Sequence, residues 1–255
     1  MSMHVLDVGK ADSILIASDG HFMLVDGGTE DCGDKVSQYL NRRGVKTLDF
    51  VVNTHPDDDH IGGLDTVIKN FQVNEFLAPH IPTAIIPSSS EYKNVQKALQ
   101  AKKLAVTNPV CGEKLTLGKL KIEVLAPTKQ RDTTNNNSIV LRLTYGRTTF
   151  LLMGDAEKDE EADLLAGALA CGTNSTADVL KVGHHGSSTS TTQELLNAVK
   201  PSFAAISVGK DSSNLPKAAV LKRLNNANAK IFRTDVSGTL IFMSDGKKIT
   251  VQTER

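Results

Sequence analysis

Four short apolar runs in this chain each end in side chains able to hold a metal or move a proton, which restricts the fold to one whose strand ends meet. The richest is Leu48-Asp49-Phe50-Val51-Val52, which leads into Asn53-Thr54-His55-Pro56-Asp57-Asp58-Asp59-His60-Ile61-Gly62-Gly63. The others are Phe22-Met23-Leu24-Val25 before Asp26-Gly27-Gly28, Phe150-Leu151-Leu152-Met153 before Gly154-Asp155, and Val179-Leu180-Lys181-Val182 before Gly183-His184-His185-Gly186. Runs of this length fit buried strands. In layered α/β folds functional residues gather at strand ends, so four such ends can serve one cleft.

The remaining sequence supplies the layers. Strands are expected over residues 4–6, 13–17, 21–26, 49–53, 75–78, 104–107, 119–125, 138–145, 148–153, 179–182, 203–208 and 230–232. A terminal hairpin is expected over 238–252, turning at Asp245-Gly246, and Gly146-Arg147 reads as another hairpin turn. A helix is expected over 34–43, where Val36, Tyr39 and Leu40 recur at helical spacing before Gly44. Further helices are expected over 63–70, 89–102, 156–169, 191–199 and 217–225. Two runs of strands flanked by helices, with no fixed-period repeat or long linker, predict a layered α/β architecture in a single domain over residues 1–255.

The cluster after Val52 points to metal chemistry. In an extended or tightly turned loop, His55, Asp57 and Asp59 alternate in direction and His60 follows, so two neighbouring divalent ions can share the loop. A helical site would space its ligands four apart. The competing reading is a solvated acidic turn with capping Asp residues before a helix near Gly63. Such a turn has no need of two histidines. Asp26 is either a turn residue beside Gly27-Gly28 or a support for a ligand. Asp155 is either an N-cap for a helix at Ala156 or a ligand. His184 and His185 belong either to a polar loop or to the site.

Overall charge selects no partner. Lys and Arg number 29 and Asp and Glu 29, so no global field recruits nucleic acid or an anionic membrane. Cys32, Cys111 and Cys171 are widely spaced and odd in number, which excludes a complete disulfide framework or a Cys-x-x-Cys zinc ribbon and leaves room for one disulfide. No apolar stretch approaches the roughly 18 residues of a membrane span. Met1-Ser2-Met3 runs directly into the strand-like His4-Val5-Leu6, without a signal-like segment. The expected location is the cytoplasm or, if a leader or membrane region has been removed, the cell surface or exterior.

His55-x-Asp57-x-Asp59-His60, Gly154-Asp155 and His184-His185-Gly186-Ser187 resemble successive motifs of the metallo-β-lactamase fold superfamily, over almost the whole chain. Leu6-Asp7-Val8-Gly9-Lys10-Ala11-Asp12-Ser13-Ile14-Leu15-Ile16, the segment from Leu180 to Ser187, and Arg233-Thr234-Asp235-x-x-Gly238 are most similar to the branch containing the nuclease-like domain of the competence protein ComEC. This resemblance implies a four-layer αββα sandwich with its cleft at one edge. It implies that His55 and Asp57 bind one divalent ion, that Asp59 and His60 bind a second, and that Asp155 bridges them. One of His184 and His185 would complete a shell while the other contacts substrate or steadies the site.

The implied cofactors are two zinc or manganese ions. Asp57 stands where the superfamily most often has histidine, and its oxygen donor makes manganese a competitor to zinc. Where many members supply a further histidine before Gly-Asp, Thr134-Asn135-Asn136-Asn137-Ser138 offers amides only. One metal position is therefore expected to be weak, labile or filled by water. Lys10-Ala11 replaces the branch's usual Gln-Gly, and Asn214-Leu215-Pro216-Lys217 replaces its usual Gly-His-Pro. These departures bear on substrate more than on fold or metal.

Two ions sharing Asp155 would acidify water and neutralise charge on a phosphoryl or carbonyl oxygen. Asp59, His184 and His185 are the candidates for proton handling. Ser187, Ser188 and Thr189 would hydrogen-bond phosphate oxygens or simply form a polar loop. Lys10 would meet an anionic substrate or lie solvated at the surface. The expected activity is a metal-dependent phosphodiesterase or nuclease, with nucleic acid as a partner. A small-ester hydrolase, acting on a phosphorylcholine-type ester or a lactam, is the alternative favoured by eight Phe, three Tyr and no Trp. A binding module with an incomplete metal shell is the non-enzymatic alternative.

Overall fold

Alternate residues along the strands enter different apolar clusters, and this division creates the layers. Met23, Val25, Phe50, Val52, Phe150, Leu152 and Val179 share one cluster with Met3, Ile16 and Phe242. Leu24, Leu48 and Val51 point to a second, and Leu151, Met153, Leu180 and Val182 to a third. Both faces of these strands are covered, which is why they read as continuous apolar runs rather than as alternating ones. A computed structural model describes residues 1–169, 175–210 and 214–255.

The first half contains β1 (Ser2–Val5), β2 (Ile14–Ser18), β3 (His21–Val25), α1 (Gly33–Arg42), β4 (Thr47–Val52), α2 (Asp58–Ile61), α3 (Leu64–Asn70), β5 (Gln72–Leu77), α4 (Ser90–Lys102) and β6 (Val106–Thr107). It continues through β7 (Lys114–Leu117), β8 (Leu120–Ala126), β9 (Val140–Tyr145), β10 (Thr148–Leu152), α5 (Lys158–Ala166), β11 (Val179–Lys181), α6 (Gln193–Val199) and β12 (Phe203–Ile206). The chain closes with α7 (Ala218–Asn226), β13 (Lys230–Arg233), α8 (Thr234–Ser237), β14 (Leu240–Ser244) and β15 (Ile249–Thr253). One sheet has the order β15-β14-β1-β2-β3-β4-β5-β6 and the other β13-β12-β11-β10-β9-β8-β7. The first cluster fills the space between the sheets. Helices α1, α3 and α4 cover the outer face of one sheet through Leu40, Val67 and Leu99, and α5, α6 and α7 cover the other through Leu164, Leu195 and Val220. The result is the four-layer αββα sandwich.

Differences from the sequence reading have local causes. The edge strand β7 escaped notice because it is only four residues long, with exposed Lys114 and Thr116 alternating with half-buried Leu115 and buried Leu117. The helix expected from Ala156 begins at Lys158, because Glu157 is extended (φ −103°). Asp155 therefore lies too far upstream to cap it. The acidic loop is corrected too: Asp58–Ile61 closes a helical turn, with Asp57 as its extended flanking residue. Cys32 and Cys111 are free thiols, and Cys171 lies outside the described residues. No helix among the described residues is long and apolar enough to cross a membrane.

Candidate metal centre

Strands β3, β4 and β5 run parallel in one sheet, and β10, β11 and β12 run parallel in the other. Asp26 follows β3, the segment from Asn53 to His60 follows β4, Asp155 follows β10, and His184 and His185 follow β11. The site thus forms at carboxyl ends of parallel strands, where crossover connections leave room for ligands.

Glycines let the loops approach. A Cβ on Gly63 would lie 2.3 Å from the Gly27 carbonyl oxygen, and one on Gly62 would lie 2.5 Å from the Glu30 nitrogen. No side chain fits there. Backbone bonds then lock the loops together: Gly27 N donates to His60 O at 2.7 Å, Gly28 N to Asp12 O at 2.7 Å, and Asp12 N to Asp59 O at 3.1 Å. Asp26 (φ 60°), His184 (φ 47°) and His185 (φ 52°) all occupy the left-handed region. Such conformations are rare for residues with a Cβ and persist where surrounding bonds enforce them.

All four histidines are oriented through Nδ1. His60 Nδ1 donates to Asp26 Oδ2 at 2.8 Å, His185 Nδ1 to the Ser207 carbonyl at 2.9 Å, and His184 Nδ1 to Glu157 Oε1 at 3.2 Å. His55 Nδ1 lies 3.2 Å from Thr54 Oγ1. Because the Thr54 hydroxyl already donates to Asp26 Oδ2 at 2.7 Å, it accepts from His55. Every Nε2 therefore faces the cleft. His55 Nε2, His60 Nε2, His185 Nε2 and Asp155 Oδ1 are buried without a hydrogen-bond partner. Native proteins seldom leave such atoms orphaned, so this set fits a divalent cation.

The donors fall into overlapping groups. His55, His60 and Asp155 bring one atom each within 4.8 Å of one another, as do Asp59, His60 and His185, and also Asp12, Asp155 and His185. Asp155 Oδ1 is 3.3 Å from His60 Nε2, and Asp155 Oδ2 is 3.6 Å from His185 Nε2 and 3.7 Å from His184 Nε2. Asp57 stands at the rim, 3.7 Å from His55 Nε2, outside these tight groups. His184 is also outside them and is 23% exposed. Lys10 Nζ meets Asp59 Oδ2 at 2.7 Å, so this lysine faces the cleft. Ser187 Oγ bonds Thr189 Oγ1 at 3.0 Å, Thr189 donates to Glu157 Oε1 at 2.7 Å, and Ser188 is exposed on the same loop.

Asn136 and Asn137 have structural roles. Asn137 Nδ2 donates to the carbonyls of Arg131 and Thr133, and Asn136 Oδ1 accepts from Glu157 N and Glu160 N. Asn135 Oδ1 is buried without a partner.

Charge is concentrated here. Burial opposes ionisation of Asp155, but His60, His185 and His55 outweigh it and hold the carboxyl well below its ordinary value. Burial likewise opposes Asp59, which His185, His60 and Lys10 hold far down. Burial disfavours charge on His60, yet Asp155 and Asp26 raise its pKa well above the usual value. Burial, reinforced by His60, lowers His55.

Sequence reading overlooked Asp12 and Lys181. Lys181 Nζ pairs with Asp12 Oδ2 at 2.8 Å and donates to the Val182 carbonyl at 2.9 Å, with both side chains fully buried. Asp12 Oδ1 is in turn 3.7 Å from His185 Nδ1. A lysine inside the apolar run Val179-Leu180-Lys181-Val182 was the available signal. Glu157 was missed because nothing in its local sequence separates it from the acidic first turn of α5.

The family model described as the metallo-beta-lactamase superfamily matches residues 6–210. The chain belongs to this superfamily. Among curated relatives, ComE operon protein 3 of Bacillus subtilis is 31% identical over 256 residues, covering 92% of this chain and 32% of its own length. Competence protein ComA of Neisseria gonorrhoeae is 31% identical over 242 residues, covering 93% of this chain and 31% of its own. The chain thus spans about a third of the length of these relatives. The solved metallo-beta-lactamase fold protein YhfI of Bacillus subtilis superposes with a TM-score of 0.62 at 14% identity, covering 94% of this chain and all of that one.

Proposed function

We propose that the protein is a metal-dependent phosphodiesterase that cleaves nucleic acid. The observation that carries this reading is the convergence of three buried, unpartnered Nε2 atoms and Asp155 Oδ1 on one cleft, each imidazole turned inward by a bond at Nδ1. His55 and Asp57 would hold one divalent ion, Asp59, His60 and His185 a second, with Asp155 between them. Zinc or manganese bound there supplies Lewis acidity toward a phosphoryl oxygen and lowers the pKa of water. Asp26 and Thr54 orient His60 and His55, and Ser207 orients His185. His184, partly exposed and steadied by Glu157, faces the substrate, and Lys10 fixes Asp59 and adds positive charge at the mouth. The name of one relative, competence protein ComA, supports a nucleic-acid phosphodiester over other esters.

With manganese or zinc, the purified protein is expected to hydrolyse bis-p-nitrophenyl phosphate and single-stranded DNA, and Asp59→Ala to abolish both activities. Unchanged turnover in Asp59→Ala would sink the assignment. Activity on DNA should fall steeply with salt, whereas a small ester would respond weakly. Less than about one ion per chain, with no rescue by added metal, would favour the binding module instead.

A further inference from the structure

A second cavity, of about 260 Å³, opens beside the metal loop. One wall is Pro56, within the His55 to His60 cluster, with Asn53 and Ile61 on either side of that cluster, and Asn53 Nδ2 donates to the His55 carbonyl at 2.6 Å. The facing wall includes Phe76 of β5, Ile86, Tyr92 of α4 and Val106 of β6. Only four large apolar side chains are exposed among the described residues, and two of them, Ile86 and Val106, converge here. Scattered exposed apolar residues need no explanation, but two meeting at a hollow beside a metal loop do.

The lining contains no Asp, Glu, Lys or Arg. A phosphate would find no countercharge in it. Neutral polar groups come instead from the Gln96 amide, from Asn108, whose Nδ2 already donates to the Ala78 carbonyl at 2.8 Å and leaves Oδ1 to accept, and from His80, whose Nδ1 is bonded to Gln130. Flat apolar faces with neutral donors and acceptors at the margin match a heterocyclic base. The volume lies just below the roughly 300–1,000 Å³ of pockets that take drug-sized ligands, which leaves room for one ring system and not for a base pair.

We propose that this cavity receives one unpaired nucleobase of the strand whose phosphodiester lies at the metal centre. The proposal rests on the phosphodiesterase reading and narrows it to single-stranded or frayed substrates, because a base held in a duplex stack cannot enter.

Two measurements separate the pocket from the chemistry. The first compares thymidine 5′-(p-nitrophenyl phosphate) with methyl p-nitrophenyl phosphate, which share a leaving group and differ by the nucleoside. Wild type is expected to prefer the nucleoside ester, and Ile86→Glu, altering a 44% exposed side chain, to cut the ratio of their kcat/KM values about ten-fold. No preference in wild type, or an unchanged ratio in Ile86→Glu, would overturn the pocket while leaving the phosphodiesterase intact. The second titrates thymidine, which has no phosphate, into chelator-treated protein. Side-chain amide resonances of Asn108 and Gln96 should shift in wild type and not in Ile86→Glu. Absence of shifts up to about 10 mM, or equal shifts with cyclohexanol, would overturn the base site whether or not the protein turns over either ester.

Discussion

His4 offers a quantitative test of the buried polar geometry. It lies in β1, an interior strand of the larger sheet, 6% exposed, with Nδ1 2.7 Å from Tyr39 Oη and Nε2 2.8 Å from Ser2 Oγ. Burial first, and then the charge of Arg43, push its pKa from 6.5 to about 4. Because the folded value lies below the unfolded one, the fold favours the neutral ring. The resulting stability is complete above about pH 6.5 and is lost as the pH falls through about 4. That gap corresponds to roughly 3 kcal/mol at full protonation, of which about 1 kcal/mol is lost by pH 5.5 and most of the rest by pH 4.5. His4→Gln keeps a hydrogen-bonding side chain that cannot take up the proton. Urea unfolding of wild type and variant, with chelator throughout, should show the wild-type advantage shrinking by about 2–3 kcal/mol between pH 8 and pH 4.5. Parallel loss in the two proteins would refute a neutral, buried His4.

Two further substitutions probe the frame of the site. Gly63→Ala places a methyl group against the Gly27 carbonyl, so it should cost about 2–4 kcal/mol and weaken ion uptake by separating Asp26 from His60; unaltered melting and metal titration would show that the loops part freely. Lys181→Met leaves the buried Asp12 carboxylate unpaired and should cost about 3–5 kcal/mol, most of it restored by adding Asp12→Asn; a single variant as stable as wild type would mean that the pair contributes nothing.

The layers and the ligand-bearing strand ends were legible in the sequence because strands buried on both faces leave unbroken apolar runs that stop where polar loops begin. Phe150, Leu151 and Leu152 read as strand for this reason, although they enter two different cores. Helix limits were legible where a cap has a side-chain signal, as at Ser89, whose oxygen accepts from Tyr92 N at 3.3 Å. They were not where the backbone alone decides, as at extended Glu157. The split between His184 and His185 follows from their Nδ1 partners, Glu157 for one and the Ser207 carbonyl for the other, neither of which leaves a local trace. Asp12 and Lys181 are far apart in the chain, and only the pairing of loops makes them partners.

The donors come from opposite sides of a seam. His55, Asp57, Asp59 and His60 ride on the sheet that contains β4, whereas Asp155, His184 and His185 ride on the one that contains β10 and β11. A small slide of one sheet over the other leaves each half of the donor set rigid and alters only the gap between the halves. Repacking the sandwich interior, far from any of these side chains, would therefore be expected to change that gap and with it the fit of a bound ion.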